Sequence, residues 1–81
     1  MLMDDLLKLF PAGGRIHLLA SGAVMIHYGT DGAVIVNPDG FVCGDRYAIR
    51  KLSYVFTKKD VGFVTVGNGL LLNPVESCSE L

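Results

Sequence analysis

Short apolar runs separated by Gly, Asp, Asn and Pro make up the chain, and the spacing inside each run predicts its element. At the start, Leu2, Leu6, Leu9 and Phe10 recur at helical spacing. Asp4 and Asp5 lie in the first turn, where the helix dipole favours negative charge, and Pro11 ends the run. A helix of about two turns is predicted. The next runs, RIHLLA and AVMIHYG, flank Ser21-Gly22, and AVIVN follows Asp31-Gly32. Both dipeptides suit two-residue hairpin loops, which predicts three antiparallel strands in a meander. In NPDG, residues 37–40, Asn, Pro and Gly take the first, second and fourth positions of a type I turn, and FVC then pairs back.

A two-residue loop at Ser21-Gly22 also fixes a register. Ala20 pairs with Ala23, Leu18 with Met25 and Ile16 with His27, so His17, opposite Ile26, points away from the face that carries His27. Leu18, Met25 and Val36 are then expected on one face of the sheet, and Leu19, Val24 and Ile35 on the other.

From Arg46 to Lys58 the period changes. Ala48, Ile49, Leu52, Val55 and Phe56 fall within one arc of a helical wheel, while Arg46, Arg50, Lys51, Ser53, Thr57 and Lys58 lie opposite. Gly44 lets the chain turn, Asp45 is a suitable N-cap, and lysines suit the C-terminal end. A helix over 46–58 with one buried face is predicted. Beyond Asp60, GFVTV and LLLNP flank Gly67-Asn68-Gly69, and Asn-Gly is a strong hairpin signal.

Residues 1–74 are therefore expected to form a single small α+β domain. Its antiparallel β-sheet has about five or six short strands, a meander plus a C-terminal hairpin, with two short helices in the order α-β-β-β-(β)-α-β-β. Residues 75–81, VESCSEL, lack periodicity and read as a flexible tail. The order strand, NPDG turn, strand, amphipathic helix, hairpin resembles that of roadblock and longin interaction domains, with GAVIVNPDGFV similar to their central hairpin. The likeness covers about half the chain, rests on turn chemistry shared by many folds, and assigns no family.

Composition adds an interface to this picture. Of the 81 residues, 51% are apolar and only 19% charged, more apolar surface than so small a body can enclose. Surplus apolar side chains form patches, and large patches mark contacts between chains. Both sheet faces carry apolar residues and two short helices can cover one, so the chain is expected to be a homo-oligomer, most simply a homodimer.

Charge narrows the partners. A net charge of −1 excludes wholesale attraction to nucleic acid or to a membrane surface, and leaves only a local basic face for such work. That face lies within DRYAIRKLSYVFTKK, residues 45–59, where Arg46, Arg50, Lys51, Lys58 and Lys59 stand with Tyr47 and Tyr54 and no acid follows Asp45. Tyr47 and Tyr54, seven residues apart, project near the middle of the polar arc. Aromatics among cations suit both base stacking and protein-binding hot spots, whereas the bland alternative is the solvated side of a helix.

The catalytic and metal-binding residue types are sparse. A metal site would need His17, His27, Cys43 and Cys78 to converge, which the expected register opposes. Asp31, Asp39, Asp45 and Asp60 are each explained by a turn or a cap, and PAGGR and GNG lack the strand-to-helix context of a phosphate cradle. Cys43 with His27 could form a nucleophile pair only if the fold joins them. With two cysteines, no secretory signal pattern at the start and no apolar run long enough to span a membrane, a reduced cytoplasmic setting is expected.

The expectation for function is a non-catalytic module that acts by occupying a surface, with no cofactor and no metal. It would be an adaptor subunit or a stoichiometric inhibitor, of the kind mobile-element or phage genomes encode. Its partner-binding residues are Arg46, Tyr47, Arg50, Lys51, Tyr54 and Lys58, and its partner is a protein with an acidic surface. The alternatives are a nucleic-acid-binding regulator using the same helix, and a minimal enzyme with Cys43 as nucleophile.

Overall fold

A computed structural model describes residues 3–72. The expected tail over 75–81, with Cys78, lies outside the described residues, as does Leu2. The elements are α1 (Met3–Leu7), β1 (Arg15–Leu18), β2 (Val24–His27), a short 3₁₀ turn (Gly29–Asp31), β3 (Ala33–Val36), β4 (Phe41–Gly44), α2 (Arg46–Lys58), β5 (Phe63–Val66) and β6 (Gly69–Leu72). They form the expected α+β arrangement of one antiparallel sheet with two helices.

The six strands lie in the order β1-β2-β3-β4-β6-β5. Four meander across the sheet, α2 crosses one face, β5 takes the far edge, and β6 returns between β4 and β5. Every neighbouring pair is antiparallel. The helices share one side of the sheet because apolar residues alternate along the strands: Val24, Ile26, Val34, Val36, Val42, Leu70 and Leu72 are buried beneath them. From above, α2 contributes Ala48, Ile49, Leu52 and Phe56, four residues of the expected apolar arc, and Val55 is half-buried beside them.

At five residues, α1 is too short to persist alone. Leu6 and Phe10 pin it to the core, where Phe10 meets Phe56 edge-on at 5.3 Å and Phe56 meets Phe63 at 6.1 Å. These rings join α1, the C-terminal end of α2 and the start of β5. Edge-to-face aromatic contacts add about 0.5–1.5 kcal/mol beyond their buried area.

The loop lengths correct the expected register. Leu18 pairs with Val24 and Ile16 with Ile26, because the first hairpin closes through three residues, Ala20-Ser21-Gly22, and not two. The Leu19 N–H donates to the Ala23 carbonyl at 2.9 Å and the Gly22 N–H to the Leu19 carbonyl at 3.0 Å. Gly22, at φ 92°, takes the left-handed position that closes such a loop. The connection at Asp31-Gly32 is also longer than expected, since the Tyr28 N–H donates to the Gly32 carbonyl across Gly29-Thr30-Asp31.

These shifts exchange faces. Leu18, Val24 and Val36 share the helix side, while Met25 and Ile35 lie opposite with His17 and His27. The two histidines therefore share a face, contrary to the two-residue reading. The last hairpin also differs in detail: its two loop residues are Gly67-Asn68, with Gly67 at positive φ as in a II′ turn, and Gly69 begins β6.

Among the described residues, no helix lies on the far side of the sheet. Met25, Ala33, Ile35, Phe41, Cys43, Leu71, Val64 and Val66 occupy it across β2 to β5, and Arg15, His17 and His27 stand at its β1–β2 end. The inner residues are half-buried by their neighbours, while Val64 is 51% and Val66 44% exposed. Among the described residues, no helix is long and apolar enough to cross a membrane.

Candidate interaction face on helix α2

Helix α2 occupies its predicted span because Gly44, at φ 145°, turns the chain off β4 and Asp45 takes the extended N-cap conformation. The Asp45 carboxylate makes no cap bond, however. Its Oδ2 accepts from the Ala33 N–H at 2.9 Å, and the Asp45 N–H donates to the Ala33 carbonyl at 3.0 Å. Asp45 thus extends the β3–β4 ladder by side chain and backbone together, and locks the start of α2 to β3. The expected helix cap is replaced by a strand contact because β3 begins directly alongside.

The outward side of α2 carries all six residues expected to bind a partner: Arg46, Tyr47, Arg50, Lys51, Tyr54 and Lys58 are exposed. Tyr47 and Tyr54, 59% and 70% exposed, form a ridge along the helix. Two hollows flank the ridge. One, of about 270 Å³, lies between the helix and the β5–β6 hairpin; Arg46, Arg50 and Ser53 line one wall and Thr65, Gly67 and Asn68 the other. The other, of about 280 Å³, is more apolar and is lined by Pro11, Tyr28, Ala48, Leu52 and Val55, with Asp31 and Lys51. Thr65, Asn68 and Tyr28 carry no mark in the sequence that would assign them to this face, because only the crossover brings them beside α2.

The cations are not equivalent. Lys51 Nζ donates to Asp31 Oδ2 at 3.1 Å and lies 5.4 Å from the centroid of the Tyr47 ring. The hydrogen bond and the charge of Asp31 raise its pKa above the ordinary lysine value. Lys59, outside the expected set, donates to the Leu9 carbonyl at 3.3 Å and ties the end of α2 to the turn that follows α1. Arg46, Arg50 and Lys58 form no ion pair among the described residues. Ser53 and Thr57 donate to the Arg50 and Ser53 carbonyls, so their hydroxyls turn back onto the helix. Among the described residues, three cations and the Tyr54 ring are left without a partner, while the Tyr47 ring has Lys51 beside it.

Candidate chemistry elsewhere is dispersed by the sheet. Cys43 pairs with Ile35, whose other neighbour is Met25, whereas His27 pairs with Ala33. Cys43 and His27 are separated by two strand spacings, about 9.6 Å laterally, and by a two-residue step along the strands. The sheet does not bring them into hydrogen-bond reach. His27 Nδ1 accepts from the Gly29 N–H at 3.3 Å. Although His17 and His27 share a face, no group of three or more His, Cys, Asp or Glu side chains converges among the described residues. Tyr28 is half-buried, its hydroxyl donates to the Pro11 carbonyl at 3.1 Å, and burial pushes its pKa up.

Comparison with protein families, with curated proteins and with solved structures finds no match.

Proposed function

We propose that this protein is a non-catalytic interaction module that occupies an acidic protein surface through the outward side of α2. The observation that carries this reading is the arrangement on that side: exposed Tyr47 and Tyr54 flanked by Arg46, Arg50 and Lys58, with no carboxylate on the helix to neutralise them. Aromatic and arginine side chains supply most of the energy at protein interfaces, because they bury large areas with few rotatable bonds and offer directed donors. The helix is held rigidly by Ala48, Ile49, Leu52 and Phe56, so little ordering cost falls on binding. An adaptor subunit or a stoichiometric inhibitor in the cytoplasm fits such a surface.

A nucleic-acid-binding regulator is the second reading, favoured by the same ridge of rings among cations. The two differ in salt response. Phosphate neutralisation releases counterions in proportion to contacts made, so nucleic-acid affinity falls steeply and linearly on a log–log plot against salt. Fluorescence anisotropy with a labelled single strand, a duplex and an acidic polyglutamate peptide separates them. The module reading expects weak, salt-screened binding to the peptide and none to the oligonucleotides near physiological salt. Submicromolar binding to either oligonucleotide at that salt would overturn it.

A further inference from the structure

We infer that the hollow between α2 and the β5–β6 hairpin seats a phosphorylated side chain of the protein partner, a step that rests on α2 being the partner-binding surface and names the group recognised there.

Two separate elements bring donors to one place. Arg46 and Arg50 stand one turn apart on α2, about 5–6 Å between their Cβ atoms, and line one wall. Thr65 of β5 and Asn68 of the hairpin loop line the other, and supply a hydroxyl and an amide. Among the described residues, neither of these two side chains forms a hydrogen bond. Among the same residues no carboxylate lines the hollow, and neither arginine has an ion pair. Ser53 adds no donor, because its hydroxyl donates to the Arg50 carbonyl at 2.7 Å. Like charges at the spacing of Arg46 and Arg50 repel each other, and an anion held between the two guanidinium groups relieves that repulsion.

Charge and size select a phosphomonoester. A carboxylate brings one negative charge and is satisfied by one arginine fork, which would leave the second cation unmatched. A phosphorylated serine, threonine or tyrosine carries about −1.5 to −2 at neutral pH on three acceptor oxygens, enough for both arginines and for the Thr65 and Asn68 donors. At about 270 Å³ the hollow is smaller than the ~300–1,000 Å³ of sites that enclose a whole small ligand, so it takes one side chain of a larger partner. Its rim is open at Gly67, where a Cβ would have nothing within 4 Å. A nucleic-acid strand fits less well. Its phosphates are singly charged diesters repeated along a backbone and call for a run of cations, whereas among the described residues only Arg46 and Arg50 bring cations to this hollow, and Lys51 lines the other one.

Fluorescence anisotropy at physiological salt tests this with one glutamate-rich labelled peptide that carries phosphoserine, glutamate or serine at its centre. The phosphoserine peptide is expected to bind at least tenfold more tightly than the glutamate peptide. Arg46→Gln and Arg50→Gln should each bring that ratio below threefold, and Thr65→Val should lower it, with circular dichroism confirming that each variant is folded. Lys58→Gln, outside the hollow, should weaken both peptides alike and keep the ratio. Capped phosphoserine alone, titrated into isotope-labelled protein, should shift the side-chain N–H signals of Arg46, Arg50 and Asn68 in NMR spectra. Equal affinity for the phosphoserine and glutamate peptides would overturn the phosphate seat while leaving an acid-binding α2 in place. Failure of both peptides to bind would remove the wider reading of α2 and the seat with it. A ratio that survives both arginine variants would also overturn the proposal, as would a single-stranded oligonucleotide with a terminal phosphate that competes as strongly as the phosphoserine peptide.

Discussion

Lys51 and Asp31, held 3.1 Å apart, join the middle of α2 to the turn between β2 and β3. The pair is solvent-exposed, so its direct contribution to stability is small. Its consequence is for recognition, because the Lys51 charge is already partnered whereas Arg46 and Arg50 form no ion pair among the described residues. Arg50→Gln should therefore weaken binding to an acidic protein several times more than Lys51→Gln. Isothermal titration of the two variants against one partner checks this ranking, and equal losses would mean that the Asp31 pair opens on binding.

Raised pKa values at Tyr28 and Lys51 give stability an alkaline limit. Burial holds the Tyr28 phenol protonated in the fold beyond its ordinary value near 10, so its contribution is complete below that pH and is lost as pH rises through the folded pKa. Lys51 acts with the same sign: its contribution is complete below the ordinary lysine value near 10.5 and fades above it. Urea unfolding midpoints should be flat through neutral pH and fall above about pH 10. Tyr28→Phe loses the bond to the Pro11 carbonyl, about 0.5–1.5 kcal/mol at neutral pH, and should show a shallower alkaline decline than the wild type.

The junction between β4 and α2 should be intolerant of substitution. A Cβ on Gly44 would meet the Ala33 carbonyl oxygen and lie 2.7 Å from Val34 Cα, at a φ of 145° that side chains rarely adopt. Gly44→Ala should cost at least about 2 kcal/mol. Asp45→Ala removes the acceptor of the Ala33 N–H and should cost about 1 kcal/mol. Chemical denaturation measures both, and a neutral Gly44→Ala would show that β3 and β4 can separate locally without penalty.

Cys43 is half-buried in the ladder with Ile35, two strands away from His27, so Cys43→Ser should leave binding at α2 unchanged. Its hydroxyl meets an apolar surface, and a modest loss of stability is expected, of the order of 1 kcal/mol. Loss of binding by a fully folded Cys43→Ser protein would move the functional centre to the open sheet.

Helix α2 was legible in the sequence to the residue, because thirteen positions carry one consistent period and Gly44-Asp45 marks the start. The strands were legible as elements but not in register. NPDG predicts a turn with Gly in fourth place, and its Gly40 N–H donates to the Asn37 carbonyl at 2.9 Å. Leu19-Ala20-Ser21-Gly22 folds the same way, yet Ser-Gly alone equally suits a shorter loop, and one residue of difference exchanges every side chain between faces. Of the candidate face, the rings and cations could be read from composition. Asp31 as the partner of Lys51, and Thr65 and Asn68 across the hollow from Arg46, depend on a crossover that local patterns do not encode.

The central claim is that α2 presents the surface that binds a partner, and quantitative co-purification from a native lysate at physiological salt tests it most directly. Wild type, the α2 variant Arg46→Glu/Arg50→Glu/Tyr54→Ala, and the open-face variant Ile35→Lys would be compared by mass spectrometry, after unfolding curves confirm that the α2 substitutions shift stability by no more than the ~0.5 kcal/mol usual for surface sites. The account expects a specific acidic protein to be retained by wild type and by Ile35→Lys and to be lost from the α2 variant. A partner that remains bound to the α2 variant while leaving Ile35→Lys would contradict it.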